Sequence, residues 1–279
     1  MPELPEVETI KTAMEKAIGK TNIIELSVNN KNLREKIPDD FAEKIRGAAI
    51  VSYRRIAKYI VIGLDNGLSI IWHLGMSGKI KITDDRPIET AKHDHVILET
   101  GNGTIVYNDA RRFGIFTYCR TEELPTHHLL AHLGKDPFDR TLNETYLAEK
   151  FKNKKVPIKE ALLDQRIVNG IGNIYASEAL FGAKILPTRA ACSLSPTECK
   201  ILLENVRLVL KKAIAAGGST LKDYQKPDGS LGYFQNMHCV YNKTGQKCPQ
   251  CTCNISETGG IRKIVQAGRS TFYCPVQQK

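Results

Sequence analysis

No run of about 18 apolar residues occurs anywhere in this chain, which excludes a bilayer-spanning helix. Glu3, Glu6 and Glu8 interrupt any apolar stretch near the start, so nothing there resembles a secretory signal peptide, and the expectation is a cytoplasmic protein without membrane partners. Internal repeats and low-complexity tracts are lacking too, which leaves ordinary globular domains. A second Cys-x-x-Cys pair is also missing. One pair is present, Cys248-Pro249-Gln250-Cys251, followed by Cys253 and, much later, Cys274, while Gln277 stands where a fourth zinc-ribbon cysteine would complete the set.

What the sequence does have is size and positive charge. Its 279 residues, 42% of them hydrophobic, can fill one large core or two ordinary ones. The 40 Lys and Arg against 30 Asp and Glu leave a formal charge of +10, which points to a polyanion, nucleic acid first of all, as the partner. Of the eight cysteines, Cys248, Cys251, Cys253 and Cys274 gather near the end as a metal site in a reducing compartment would, whereas Cys119, Cys192 and Cys199 read as inert core thiols.

Along the chain, Val7, Ile10, Met14 and Ala17 have helical spacing. Short β-rich runs follow at 23–28, 49–53, 59–64, 68–74, 79–82, 96–100, 104–107 and 114–118, which predicts a sandwich of antiparallel strands. Asp65-Asn66-Gly67 and Gly101-Asn102-Gly103 supply tight hairpin turns. From about residue 125 helices take over, predicted at 142–151, 158–163, 174–181 and 196–215. The last opens with Ser195-Pro196-Thr197-Glu198, an N-cap, a first-turn proline and a capping-box glutamate. The segment from about 232 is too small to fold without a staple.

Eight places carry candidate chemistry. Trimming of Met1 would leave Pro2 as a free secondary amine beside the Glu3 carboxylate; an α-amino group titrates near about 8 and can attack an electrophilic sugar carbon to form a Schiff base. The same residues also read as a plain helix start. Lys58, in an otherwise apolar stretch, is costly to bury unless paired, which makes it a functional candidate. The turn His73 to Gly78 presents Met76 either as a wedge between base steps or folded back on the core. Asp109 to Gly114 offers a cation and an aromatic together, Arg111 to fill the space of an extruded base and Phe113 to stack. His93 reads as a phosphate contact, and Gly170 to Glu178 as a glycine turn opening an anion-binding helix, with Asn173 adding a donor. Lys152, Lys154, Lys155 and Lys159 form either a backbone-contacting basic cluster or a solvated helix face, and Gly217 to Tyr224 suits a loop over a bound base.

Taken together, these motifs resemble the formamidopyrimidine-DNA glycosylases, and the likeness runs from Met1 to Gln278 with the motifs in the family's order. The start Pro-Glu-Leu-Pro-Glu favours this family over endonuclease VIII, which usually has glycine at the position of Leu4. The resemblance implies an α+β, multidomain fold: an N-terminal β-sandwich with its helix (1–124), a helix–two-turns–helix domain (125–231) and a zinc-finger-type hairpin (232–279), with DNA held in the cleft. It implies excision of oxidised purines, 8-oxoguanine and formamidopyrimidines, from double-stranded DNA, and cleavage of abasic sites by β,δ-elimination. Pro2, Glu3, Lys58 and Arg269 are then catalytic. Met76, His93, Arg111, Phe113, Lys154 and Asn173 contact DNA, and Glu6, Glu178, Ser219, Thr220 and Tyr224 line the base pocket. One zinc sits on Cys248, Cys251, Cys274 and, as fourth ligand, Cys253, with Cys239 or His238 as remoter choices. A monomer associated with the nucleoid is expected. The alternatives are an oxidised-pyrimidine glycosylase and a non-catalytic damaged-DNA-binding protein.

Overall fold

The computed structural model describes residues 2–85, 87, 89–220, 226–252 and 254–279. Tyr224 and Cys253 of the expected site lie outside the described residues. The chain forms two compact units, Met1–Ala131 with Ile214–Gln235, and His132–Ala213 with Asn236–Lys279. Boundaries placed at 124 and 231 on sequence grounds divide the chain differently, because the segment after the long helix returns to the first unit.

In the first unit the elements are α1 (Leu4–Ala17), β1 (Ile23–Val28), α2 (Phe41–Ile45), β2 (Ile50–Ile56), β3 (Tyr59–Leu64), β4 (Leu68–His73), β5 (Lys79–Thr83), β6 (Asp94–Thr100), β7 (Gly103–Asn108) and β8 (Ile115–Arg120). Two four-stranded sheets, β1-β6-β7-β5 and β2-β3-β4-β8, are antiparallel throughout and form the predicted sandwich. One apolar cluster joins Ile60, Ile62, Ile70 and Trp72 from one sheet to Val96, Leu98, Ile105 and Tyr107 from the other. Each such side chain contributes about 1.5–3 kcal/mol on burial. The Trp72 ring packs edge-on against Phe116 at 4.5 Å and Tyr107 at 5.5 Å. Val7, Ile10 and Met14 place α1 on this core as expected, but Ile18 and not Ala17 completes the stripe. The short α2 escapes sequence reading because five residues hold barely one helical period.

The second unit contains α3 (Glu144–Phe151), α4 (Ile158–Leu163), α5 (Asn173–Gly182), most of α6 (Pro196–Ala215), α7 (Ile255–Thr258), β9 (Arg262–Gln266) and β10 (Arg269–Tyr273). The expected helix from 142 starts at Glu144 because the Asn143 side chain accepts the Tyr146 N–H at 2.9 Å and fixes the cap. At α6 the capping box forms, with Glu198 N–H to Ser195 Oγ at 3.2 Å and Ser195 N–H to Glu198 Oε2 at 2.8 Å. Arg189 beside it holds the Glu198 carboxyl down to about 2. Residues 174–181 of α5 are all buried, so this helix is enclosed on every side, Ser177 and Glu178 included, and packs against α4 and β10. The β9–β10 hairpin closes through Ala267 and Gly268, both at positive φ (45° and 74°), the conformation of a type I′ turn. No helix among the described residues is long and apolar enough to cross a membrane.

Candidate functional site

Pro2 and Glu3 are buried at the start of α1. The helix-start reading is met, since Glu3 is the N-cap of α1, and the same geometry buries the Glu3 carboxyl group next to Pro2 in the chain. Glu6, 2% exposed, directs its two oxygens to different strands of chain: Oε2 accepts the Glu3 N–H and Oε1 the Ser219 N–H, each at 2.8 Å. The acid at the third helical position thus couples the start of the chain to the segment that follows α6. Thr220 lies next to it, its N–H donated to Gln235 Oε1.

Lys58 is buried, and it occupies the two-residue turn between β2 and β3 after Ala57, whose φ is 53°. Arg55 fastens this turn, donating to the Ala57 carbonyl at 3.1 Å and to Glu8 Oε2 on α1 at 2.8 Å. His73, missed on sequence, ends β4 nearby. Its Nδ1 accepts the Gly75 N–H at 3.0 Å, and desolvation together with the Lys58 and Arg34 charges pushes its pKa down to about 4. The imidazole is therefore neutral at physiological pH, with its proton on Nε2.

Met76 and Phe113 are exposed, 39% and 43%, and Arg111 lies over the Phe113 ring at 4.7 Å. The two tips are one structure. A Cβ on Gly75 would come within 2.4 Å of the Phe113 carbonyl carbon, so that approach needs glycine, whose φ of +63° also suits it. Beneath them lies Asp109, 0% exposed. Its Oδ1 accepts from Ser77 Oγ at 2.6 Å and from the Arg111 N–H at 3.3 Å; its Oδ2 accepts from Gly114 N–H at 2.8 Å and Tyr107 Oη at 3.1 Å. Its own N–H reaches the His93 carbonyl at 3.0 Å, which brings His93 to the same cluster.

In the second unit the basic run separates by role. Lys152 and Lys155 are exposed, and Lys154 pairs with Asp164 at 3.6 Å. Lys159 is neither solvated nor a surface contact: it is 1% exposed, and its Nζ donates to Asn173 Oδ1 at 2.7 Å, Thr271 Oγ1 at 2.7 Å and the Ser270 carbonyl at 3.0 Å. Asn173 Nδ2 also donates to the Ser270 carbonyl, at 2.9 Å. The first residue of α5 is thereby bound to the hairpin directly after Arg269, which is exposed. Glu178 departs from the base-pocket expectation. Its carboxylate accepts the N–H groups of Cys239 (2.8 Å), Val240 (3.0 Å) and Tyr241 (2.7 Å), a staple for the turn that precedes the cysteines. Burial raises its pKa against the lowering effect of those amides.

Cys248, Cys251 and Cys274 bring their Sγ atoms within 4.8 Å of one another. Zinc–thiolate bonds of about 2.3 Å give tetrahedral S···S edges of about 3.8 Å, and the Cys251–Cys274 separation is 3.7 Å. Burial pushes the Cys248 thiol up to about 12, so three adjacent thiolates here require a cation. The donor set fits zinc with three ligands. At the expected fourth position Gln277 turns its backbone N–H to Cys274 Sγ at 3.4 Å, while Gln278 accepts the Cys274 N–H at 2.8 Å.

His73, Asp109, Lys159 and Gln235, to which the sequence assigns no role of their own, are buried or half-buried polar groups, and the last three each bond a residue remote in sequence: Ser77, Thr271 and Thr220. The formamidopyrimidine-DNA glycosylase N-terminal domain matches residues 1–116, and the H2TH domain of the same family matches residues 133–225. The chain is 44% identical to the formamidopyrimidine-DNA glycosylase of Gluconobacter oxydans and 42% identical to that of Rhodospirillum rubrum, covering 100% of each chain in both cases. Among solved structures it is similar to the MutM (Fpg) protein from Thermus thermophilus (TM-score 0.86, 33% identity, 99% and 98% of the two chains). It is also similar to the Lactococcus lactis Fpg in complex with an abasic site containing DNA (TM-score 0.88, 33% identity, 99% of each chain).

Proposed function

The chain belongs to the formamidopyrimidine-DNA glycosylase family, and on that premise we propose that it excises oxidised purines from double-stranded DNA and then cuts the resulting abasic site. The observation that carries the reading furthest is the buried Pro2–Glu3 pair, tied through one carboxylate, Glu6, to the Ser219 amide. Structures of Lactococcus lactis Fpg include complexes with DNA containing an abasic site or an oxidised pyrimidine and, for a mutant, Fapy-dG, and the same class of partner suits the +10 charge of this chain.

Once Met1 is removed, the Pro2 nitrogen attacks the sugar C1′ as the damaged base leaves with a proton, giving an iminium at C1′. That cation acidifies the C2′ proton. Its loss expels the 3′ phosphate, and a second elimination expels the 5′ phosphate. Glu3 assists sugar-ring opening and the later proton transfers, and Lys58 contacts phosphate and donates a proton during β-elimination. Met76, Arg111 and Phe113 enter the duplex together as one rigid tip set on Asp109, filling the space of the flipped nucleotide. His93, Lys154 and Asn173 face the backbone, and Arg269 belongs to the second elimination. Glu6, Ser219 and Thr220 read the base. Asn173 faces the backbone with its side chain already engaged by Lys159, Ser270 and, at 3.4 Å, Tyr241 Oη, so the N–H groups at the α5 N-terminus supply the phosphate contact. Zinc, held by the three cysteines, supplies a structural cross-link that keeps the hairpin in shape, and no step of the chemistry passes through it. We place the activity in the cytoplasm, consistent with reduced cysteines at metal-binding spacing.

Borohydride trapping on a duplex with 8-oxoguanine opposite cytosine, followed by mapping of the cross-linked peptide, tests this. A covalent adduct at Pro2 is expected. Lesion binding without adduct or strand cleavage overturns it in favour of the damage-binding alternative, and faster turnover on thymine glycol overturns the purine preference.

A further inference from the structure

Gln235 closes the segment Ile214–Gln235 upon itself. Its side-chain Oε1 accepts the Thr220 N–H at 2.9 Å while its Nε2 donates to the Gly232 carbonyl at 2.5 Å. Gly232 answers by donating its N–H to Thr220 Oγ1 at 2.9 Å, and the Phe234 and Tyr233 N–H groups reach the carbonyls of Gly218 and Ala216, both at 3.0 Å. The two passages of backbone lie so close that a Cβ on Gly232 would meet the Gly218 oxygen at 2.3 Å. Position 232 therefore needs glycine. Among the described residues, Gln235 bridges 220 and 232 with both ends of its amide, a match of one acceptor and one donor that a carboxylate or an alkyl group cannot reproduce.

The consequence runs to the reacting end of the site. Thr220 follows Ser219, whose amide holds Glu6 Oε1, and Glu6 Oε2 holds the amide of Glu3. We propose that Gln235 is a positioning residue for damaged-base recognition, setting the Ser219–Thr220 main chain against Glu6 without itself touching Pro2 or Glu3. The proposal rests on the assignment of Glu6, Ser219 and Thr220 to the base pocket. It separates two reactions of one enzyme: excision of an intact damaged base needs the pocket, whereas cleavage of a pre-formed abasic site uses Pro2, Glu3, Lys58 and Arg269 with no base to hold.

The full-length chain and its Gln235→Leu and Gln235→Glu variants are compared on two duplexes of one sequence, one with 8-oxoguanine opposite cytosine and one with an abasic site. For Gln235→Leu, kcat/KM on the lesion is expected to fall about tenfold while abasic cleavage stays within about twofold. Gln235→Glu keeps the acceptor for Thr220 and loses the donor to Gly232, so it is expected to fall about threefold on the lesion alone. Equal losses on both duplexes in the two variants mark general damage to the fold and overturn the proposal, as does no loss on either. A wild-type chain that cleaves neither duplex refutes the underlying glycosylase reading instead, which keeps the two failures apart.

Discussion

Each unit of this chain rests its candidate DNA-contacting residues on one buried charge, of opposite sign. In the β-sandwich the charge is Asp109, which gathers two hydroxyls and two backbone N–H groups under Met76, Arg111 and Phe113. In the helical unit it is Lys159, which gathers two side-chain oxygens and a carbonyl under Asn173 and Arg269. The sign follows from what needs tying. Loop tips expose N–H groups, which an acceptor-only carboxylate collects, while the first residue of a helix and the start of a strand offer oxygens to an ammonium. A buried charge is expensive unless every lone pair or proton is used. The fact that both sit at exposed tips links their cost to positioning more than to core stability.

Removing the anion has the larger expected effect. Asp109→Ala leaves the Gly114 N–H, the Tyr107 hydroxyl and the Ser77 hydroxyl without this acceptor in a closed core, a loss of about 3–5 kcal/mol in unfolding free energy. Urea denaturation reads it directly, and a loss under about 1 kcal/mol would show that the tips have other anchors. Lys159→Met comes next. It takes the cation away from three oxygens, those of Asn173, Ser270 and Thr271, and about 2–3 kcal/mol is expected. Its sharper signature is functional: binding to an abasic duplex weakens while Schiff-base formation at saturating DNA is retained. If trapping fails equally at saturation, Lys159 does more than hold the hairpin.

The sandwich strands were legible because alternation and glycine turns are local signals; 59–64 matches β3 and 158–163 and 196–215 match α4 and α6 at both ends. The hairpin's altered finger was legible too, since cysteine spacing is read residue by residue. The buried hubs were not. In the sequence Lys159 is one more lysine in a basic run, and the partners of its ammonium, Asn173, Ser270 and Thr271, lie 14 to 112 residues further along. Glu178 looked like an inward-facing pocket acid, yet its partners lie at 239–241, far along the chain. In the sequence Asp109 is only the start of a tip, because its role depends on Ser77, in the turn between β4 and β5, and on Gly114, just before β8.

The thiol cluster sharpens the comparison from the second unit's side, because the sandwich has no corresponding staple among its described residues. One zinc per chain is expected by metal analysis. Cys274→Ser, or chelation, is expected to weaken duplex binding about tenfold, equivalent to about 1.4 kcal/mol, while leaving the unfolding of the sandwich unchanged. Undiminished binding after complete metal loss would mean that Lys159 and Glu178 alone hold the hairpin in shape.

The smallest effect tests whether the two units respond alike to acid. Each carries one imidazole held near a pKa of about 4: His73, by desolvation and the charges of Lys58 and Arg34, and His238, by desolvation and Lys243. A histidine in the unfolded chain takes its proton near about 6.5. Between those values the unfolded chain binds more protons than the folded one, so stability rises with pH across the window and is lost as pH falls toward 4. Above about 6.5 neither group contributes a slope. From pH 6.5 to about 5, where carboxylates titrate little, each histidine adds at most about 1.4 kcal/mol per pH unit. His73→Gln and His238→Gln are each expected to remove about half of the slope measured by urea denaturation across that window. If one variant removes nearly all of it, the acid response belongs to a single unit, and the symmetry suggested by the paired buried charges stops at the hubs themselves.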